Sequence, residues 1–147
     1  MTRKWDDQEK SSDLNNDGIE FCEQEKFTEA LACYNAALLL NPENEIVWYN
    51  KGLLFSDLEK NQEAMTCFDE AIRLDPKCDD MWYMKGMTSY YLKQFDEAIR
   101  CFDQAIMLNY DSPDSWENKG ATLQQLGKYA EATSCFDRSI KLKERML

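Results

Sequence analysis

The chain holds 147 residues, enough for one domain with a sizeable buried core, and 44% hydrophobic with 31% charged residues is the composition of a soluble folded protein. A net charge of -11 argues against nucleic acid and anionic membranes as partners, since both are bound through Lys/Arg-rich surfaces. Histidine is absent, which removes the commonest general base and the commonest transition-metal ligand. The reading is therefore of a protein that is not an enzyme and takes no cofactor or metal. No window approaches the roughly 18–20 unbroken apolar residues of a membrane helix. The opening MTRKWDDQEK carries acidic residues where a signal peptide would be apolar, so the expected compartment is the cytoplasm.

Residues 1–10 read as a polar N-terminal segment, and 11–147 as a single domain built on one period. Trp48, Trp82 and Trp116 lie 34 residues apart, and Gly52, Gly86 and Gly120 follow each by four. Gly18 continues the series backwards, with Leu14 in the tryptophan place. Alanines recur at Ala30, Ala64, Ala98 and Ala132, and aromatics at Tyr34, Phe68, Phe102 and Phe136. A second small residue follows at Ala37, Ala71, Ala105 and Ser139.

The first repeat, 11–44, and the second, 45–78, close on Asn41-Pro42 and Asp75-Pro76. A residue before proline is pushed out of helical geometry, so these pairs end a helix. The third repeat is 79–112 and the fourth 113–146, where Pro113 suits a first helical turn. Segments 45–58, 79–92 and 113–126 carry apolar residues at helical spacing, as in Trp48, Leu54, Phe55 and Leu58. A second helix follows in each repeat, such as 95–108 with Phe95, Ala98, Ile99, Phe102, Ala105, Ile106 and Leu108 inward. Glycine at repeat position 8 lets two helices approach closely, and the small residues at positions 20 and 27 do the same from the partner helix. No repeat can bury its apolar face alone, so neighbours must stack.

The spacing W-x3-G, then A-x3-F-x2-A, then P resembles the tetratricopeptide repeat family. The resemblance covers all but the first ten residues and the last, in four repeats without insertion. It implies an all-α fold, a right-handed superhelical α-solenoid of four helix-turn-helix repeats. It also implies that the first helices line a concave groove holding an extended peptide or a helix. Positions 2, 5, 6, 9, 12 and 13 of each first helix would then face the ligand.

On that basis the expected groove residues are Asn16, Tyr49, Asn50, Leu53, Tyr83, Met84, Met87, Tyr90, Tyr91 and Asn118, centred on repeats two and three. Asparagine at position 6 recurs as Asn16, Asn50 and Asn118, with Met84 interrupting the row. In the family such asparagines hydrogen-bond a peptide backbone, since an amide both donates and accepts; the alternative is a plainly solvated side chain. Tyrosine with methionine suits an adaptable recognition surface, although Tyr90 and Tyr91 also suit contacts between repeats. Some members carry a clamp of Lys, Asn and Arg for a terminal carboxylate. The clamp positions here read Asn15, Ile19, Asn50, Asp80 and Met84, or Tyr49, Leu53, Met84, Asp114 and Asn118 one repeat on. Neither set fits, and no clamp is expected.

Repeat one has seven acids against one base, whereas residues 113–147 have five against six. Acidic groove positions Glu23, Asp57, Asp80 and Asp114 favour a basic or amphipathic protein or peptide partner, unless they form only a solvated face. Cys33, Cys67, Cys101 and Cys135 all occupy position 23. Equivalent helices stand about 8–10 Å apart, beyond the ~7 Å limit for a disulfide. These thiols read as small, semi-buried packing residues, with Cys22 and Cys78 outside the pattern and more exposed.

The chain ends at Lys141-Leu142-Lys143-Glu144-Arg145-Met146-Leu147, with no further helix to cover the fourth repeat. Either that repeat is polar enough to cap itself or a second copy packs there, head-to-tail or as a two-fold homodimer. The functional expectation is a non-catalytic interaction module or adaptor. The alternative is a self-assembling scaffold that uses the fourth repeat.

Overall fold

A computed structural model of the chain describes residues 4–147, and these contain eight α-helices and no strand. They divide into two compact units, the first ending at Pro76 and the second starting at Lys77. Of the expected polar segment 1–10, residues 1–3 lie outside the described residues. Residues 4–10 are helical and form the first turns of the first repeat's opening helix.

The first unit contains α1 (Lys4–Glu23), α2 (Phe27–Leu40), α3 (Glu45–Asp57) and α4 (Asn61–Leu74). Within it α1 pairs with α2 and α3 with α4, while α3 also contacts both α1 and α2. The second unit repeats the plan with α5 (Asp79–Tyr91), α6 (Phe95–Leu108), α7 (Pro113–Gln125) and α8 (Tyr129–Arg145). Here α5 pairs with α6 and α7 with α8, and α7 touches both α5 and α6.

Each helix pair closes around one glycine and one aromatic ring. A Cβ on Gly52 would stand 2.7 Å from Phe68 Cε1, and one on Gly86 would stand 2.7 Å from Phe102 Cε1. Gly18 bears the same relation to Tyr34, and Gly120 to Phe136. Ala30, Ala64 and Ala98 are 0% exposed, as are Ala37, Ala71 and Ala105, so the second helix offers small residues at each closest approach. The rings of Phe68 and Phe102 are fully buried, each a contribution of about 1.5–3 kcal/mol.

The turns inside the pairs share one geometry. Glu25, Glu59, Lys93 and Gly127 all adopt left-handed backbone, with φ of 56°, 57°, 60° and 73°. The amide after each donates five residues back, as in Lys60 N–H to Phe55 O at 2.8 Å and Lys128 N–H to Leu123 O at 2.9 Å. This is the bonding of a Schellman helix end, which satisfies carbonyls the helix leaves open.

The turns between pairs are held by tryptophan. Trp48 Nε1 donates to Pro42 O and Trp116 Nε1 to Tyr110 O, each at 2.9 Å. A lysine three residues on covers each ring, with the ammonium 5.4 Å from the Trp48 centroid for Lys51 and 5.9 Å from Trp116 for Lys119. Lys119 also reaches Asp103 of α6 at 2.6 Å. At the first unit's inner turn, Asn44 caps α3 through Val47 N–H and donates to the buried Ser11 of α1. As expected, α2 and α4 stop at Leu40 and Leu74, and Asn41 and Asp75 cap them in extended backbone. All six cysteines are free thiols: Cys67, Cys101 and Cys135 are buried, and Cys22, Cys33 and Cys78 half-buried.

Candidate functional site

The expected groove residues divide between the units, and each unit places its own first helices side by side. In the first unit these are α1 and α3. Asn50 of α3 donates its amide to Asn15 Oδ1 of α1 at 2.9 Å, and Asn15 is only 7% exposed. Asn15 stands among the expected ligand-facing positions, yet its carbonyl accepts a bond from the neighbouring first helix. The same bond fixes which way the Asn50 amide faces. Asn16 is solvent-exposed, Leu53 half-buried and Ile46 52% exposed. Tyr49 is half-buried with its ring 5.9 Å from Phe68, so part of it belongs to the core. Cys22 lies 3.6 Å from the Tyr34 hydroxyl and is likewise an interior contact rather than an open thiol. Burial, together with that contact, pushes the Tyr34 hydroxyl above its ordinary range.

In the second unit the paired helices are α5 and α7, and the bond recurs in the same register with a different partner. Asn118 Nδ2 of α7 donates to the Tyr83 hydroxyl of α5 at 3.1 Å and to Asp114 O at 2.9 Å. Burial pushes the Tyr83 hydroxyl up, nearby Asp114, Tyr91 and Glu117 push it further, and the Asn118 bond opposes them. Tyr83 is half-buried, with its ring 5.9 Å from Phe102. Met84 and Met87 are half-buried on α5. Tyr90 packs edge-on against Phe95 at 5.6 Å, which makes it a contact within the helix pair. Tyr91, packed edge-on against Tyr90, is 62% exposed. Glu117 of α7 is held by the Lys143 ammonium of α8.

Four family models described as tetratricopeptide or TPR repeats match residues 18–58, 46–78, 80–112 and 113–145. The chain belongs to the tetratricopeptide repeat family. No curated protein sequence matches this repeat protein. Among solved structures, MamA has a TM-score of 0.88 at 18% identity, over 92% of this chain and 80% of that one. MamA from Desulfovibrio magneticus RS-1 has 0.86 at 16%, over 92% and 76%. The first TPR of Spaghetti, bound to the HSP90 peptide SRMEEVD, has 0.79 at 20%, over 82% and 95%. At these identities the likeness is one of fold, an all-α solenoid of tetratricopeptide repeats.

Reading single positions of this repeat protein missed two features. One is the position-5 to position-6 bond between successive first helices, formed by Asn15 with Asn50 and by Tyr83 with Asn118. The signal was present as a pair of polar residues 35 apart in each unit. The other is Lys143 on Glu117, a contact across 26 residues that no repeat pattern encodes.

Proposed function

We propose that the chain is a non-catalytic protein-interaction module that holds a peptide or a helix on the faces of its first helices. The observation that carries this reading is the side of the second unit bearing Tyr83, Met84, Met87 and the exposed Tyr91, next to Asn118. Large, adaptable apolar groups there stand beside an amide whose orientation is fixed, which is how a side chain and a backbone are gripped together. In the first unit Asn16, Asn50, Leu53 and part of Tyr49 offer a smaller version of the same face. The Spaghetti domain carries a short peptide on this fold, so the fold can serve that use. The absent clamp residues favour an internal segment of the partner over its C-terminus. Acidic side chains on the same helices favour a basic or amphipathic ligand. Among the described residues no helix is long and apolar enough to cross a membrane, and six free thiols fit a reducing compartment such as the cytoplasm.

Affinity capture followed by titration of the recovered partner tests the reading. Tyr83→Ala/Met87→Ala is expected to lose the partner, and Met107→Ala, a change at an exposed residue of α6, to keep it. Equal recovery by all three proteins refutes the assignment of the face.

A second reading, assembly with another copy, rests on the outer side of α8. Tyr129 and Ile140 there are 68% and 53% exposed, whereas Ile106, the equivalent of Ile140 in α6, is 7% exposed. Head-to-tail docking in repeat register would set Asp17 of one copy against Asp137 of the next, where Lys119 now meets Asp103. That contact repels, so a two-fold homodimer through α8 is the form expected. Light scattering over a concentration series with Ile140→Asp checks it; a monomer throughout sinks it.

A further inference from the structure

The outer stripe of α8 repeats the one that α7 covers on α6. On α6 the ring of Phe102 is fully buried, Ile106 is 7% exposed and Asp103 meets Lys119 of α7. On α8 the equivalents are uncovered: Phe136 is half-buried, Ile140 is 53% exposed and Asp137 is solvent-exposed. Tyr129 and Thr133 continue the stripe towards the start of the helix, and both are exposed. Tyr129, Thr133, Phe136 and Ile140 follow one another at spacings of four, three and four, the pattern of a seam along which two helices mesh. Thr133 does not interrupt that seam. Its hydroxyl already donates to Tyr129 O at 2.9 Å and needs nothing from a partner.

Charge along α8 decides what fits there. Residues 129–137 carry two acids, Glu131 and Asp137, and no base. Residues 138–147 carry Arg138, Lys141, Lys143 and Arg145 against Glu144 alone. A second α8 running antiparallel sets each acidic half beside the basic half of the other copy, whereas a parallel one sets like against like. Opposed helix dipoles favour the same direction.

Resting on the second reading above, we propose that the occupant is α8 of a second copy, packed antiparallel, with Ile140 against Tyr129 of the other copy and Phe136 against Thr133. The two-fold axis then passes between residues 134 and 135. Asp137 lies beside Ala130 of the other copy, a small residue without charge. A shift of one heptad would instead bring the two Asp137 carboxylates together across the axis, and their repulsion selects the first register. Four side chains per copy make a small interface, so the dimer is weak, with Kd on the order of 100 μM. The contact is two-fold and closed, so assembly stops at two copies.

The test begins with light scattering on the whole chain from about 10 μM to about 1 mM, which brackets that Kd. The mass is expected to rise from one copy to two and no further. A mixture of isotope-labelled and unlabelled protein then reports contacts between copies through isotope-filtered nuclear Overhauser spectra. The Ile140 methyl groups are expected to meet the Tyr129 ring. These residues are 11 apart on one helix, about 16 Å, so the contact arises only between copies. Thr133→Leu, a change at an exposed residue, extends the apolar seam and tightens the dimer by about tenfold, and Ile140→Asp abolishes it. Suppose instead that a dimer forms and Ile140→Asp dissolves it, but Ile140 makes no contact with Tyr129, or Thr133→Leu leaves the affinity unchanged or lower. The antiparallel seam then falls and the assembly reading stands. A mass that grows past two copies also overturns the seam. A monomer throughout, Thr133→Leu included, removes the seam and the assembly reading together.

Discussion

Replacing Gly86 with alanine tests the closest approach in the second unit. In an open helix the change would stabilise by about 1 kcal/mol, because glycine is the poorer helix former. Here the new Cβ would meet three atoms of one ring, Phe102 Cε1 at 2.7 Å, Cδ1 at 2.9 Å and Cζ at 3.0 Å. Carbon atoms settle at about 3.5–4.0 Å, so either the ring or the helix must give by close to an ångström. Phe102 is 0% exposed and has no room to yield, which puts the overpacking cost near the top of the usual range of about 1–3 kcal/mol. The net effect is a loss of about 1–2 kcal/mol, or a fall in Tm of about 2–8 °C for a protein of this size. Thermal unfolding followed by far-ultraviolet circular dichroism measures it. Gly120→Ala supplies the internal comparison: its Cβ would stand 2.9 Å from Phe136, which is only half-buried and free to shift, so that variant should lose less. A Gly86→Ala protein as stable as the unmutated chain, or more so, would refute the claim that ring contact demands glycine.

Trp116→Phe should cost about 1–2 kcal/mol in denaturant unfolding, because Tyr110 O loses its indole donor and the edge-on Tyr110 contact at 5.3 Å is reshaped. Tyr83→Phe should cost about 0.5–1.5 kcal/mol, since Asn118 loses an acceptor but keeps Asp114 O. Its side-chain amide resonance should move, and an unmoved resonance would dismiss the bond. Burial raises the Cys67 thiol from 9.0 to about 11, opposed by Lys51 and aided by Glu63. The folded state therefore prefers the protonated thiol: its contribution is complete below pH 9 and is lost as pH rises towards 11. Cys67→Ala should flatten the stability profile across that window, and an unchanged slope would place the alkaline loss elsewhere.

The architecture was legible because one short pattern recurs at four places in phase. Glycine, alanine and aromatic positions 34 residues apart cannot keep step by chance, and each is explained by the same close contact between two helices. The expected second helix 95–108 coincides with α6, and the first helices end one residue earlier than expected, at Asp57, Tyr91 and Gln125. Residues 4–10 escaped because WDDQEK has no apolar period to announce a helix, although nothing in it breaks one. The candidate face was legible only in part. Position alone marks Asn15 and Asn50 as equals, but burial and the bond between them turn one inward. Tyr90 suited either the face or a contact between repeats, and its ring packs instead against Phe95 of its own repeat. A face formed by two helices depends on which side chains bond across it, and that pairing is not written at any single position.

The left-handed turns give the fold something else, a means of adjusting its stability from outside the core. Glu25, Glu59 and Lys93 are solvent-exposed residues holding a backbone that costs a side chain about 1–2 kcal/mol, whereas the fourth turn uses Gly127. Glycine gives back part of that gain, about 0.5–1 kcal/mol, through the freer unfolded chain. Each turn is thus a small independent dial, 34 residues from the next. Such settings add, so mutation could tune the working temperature of this protein in even steps.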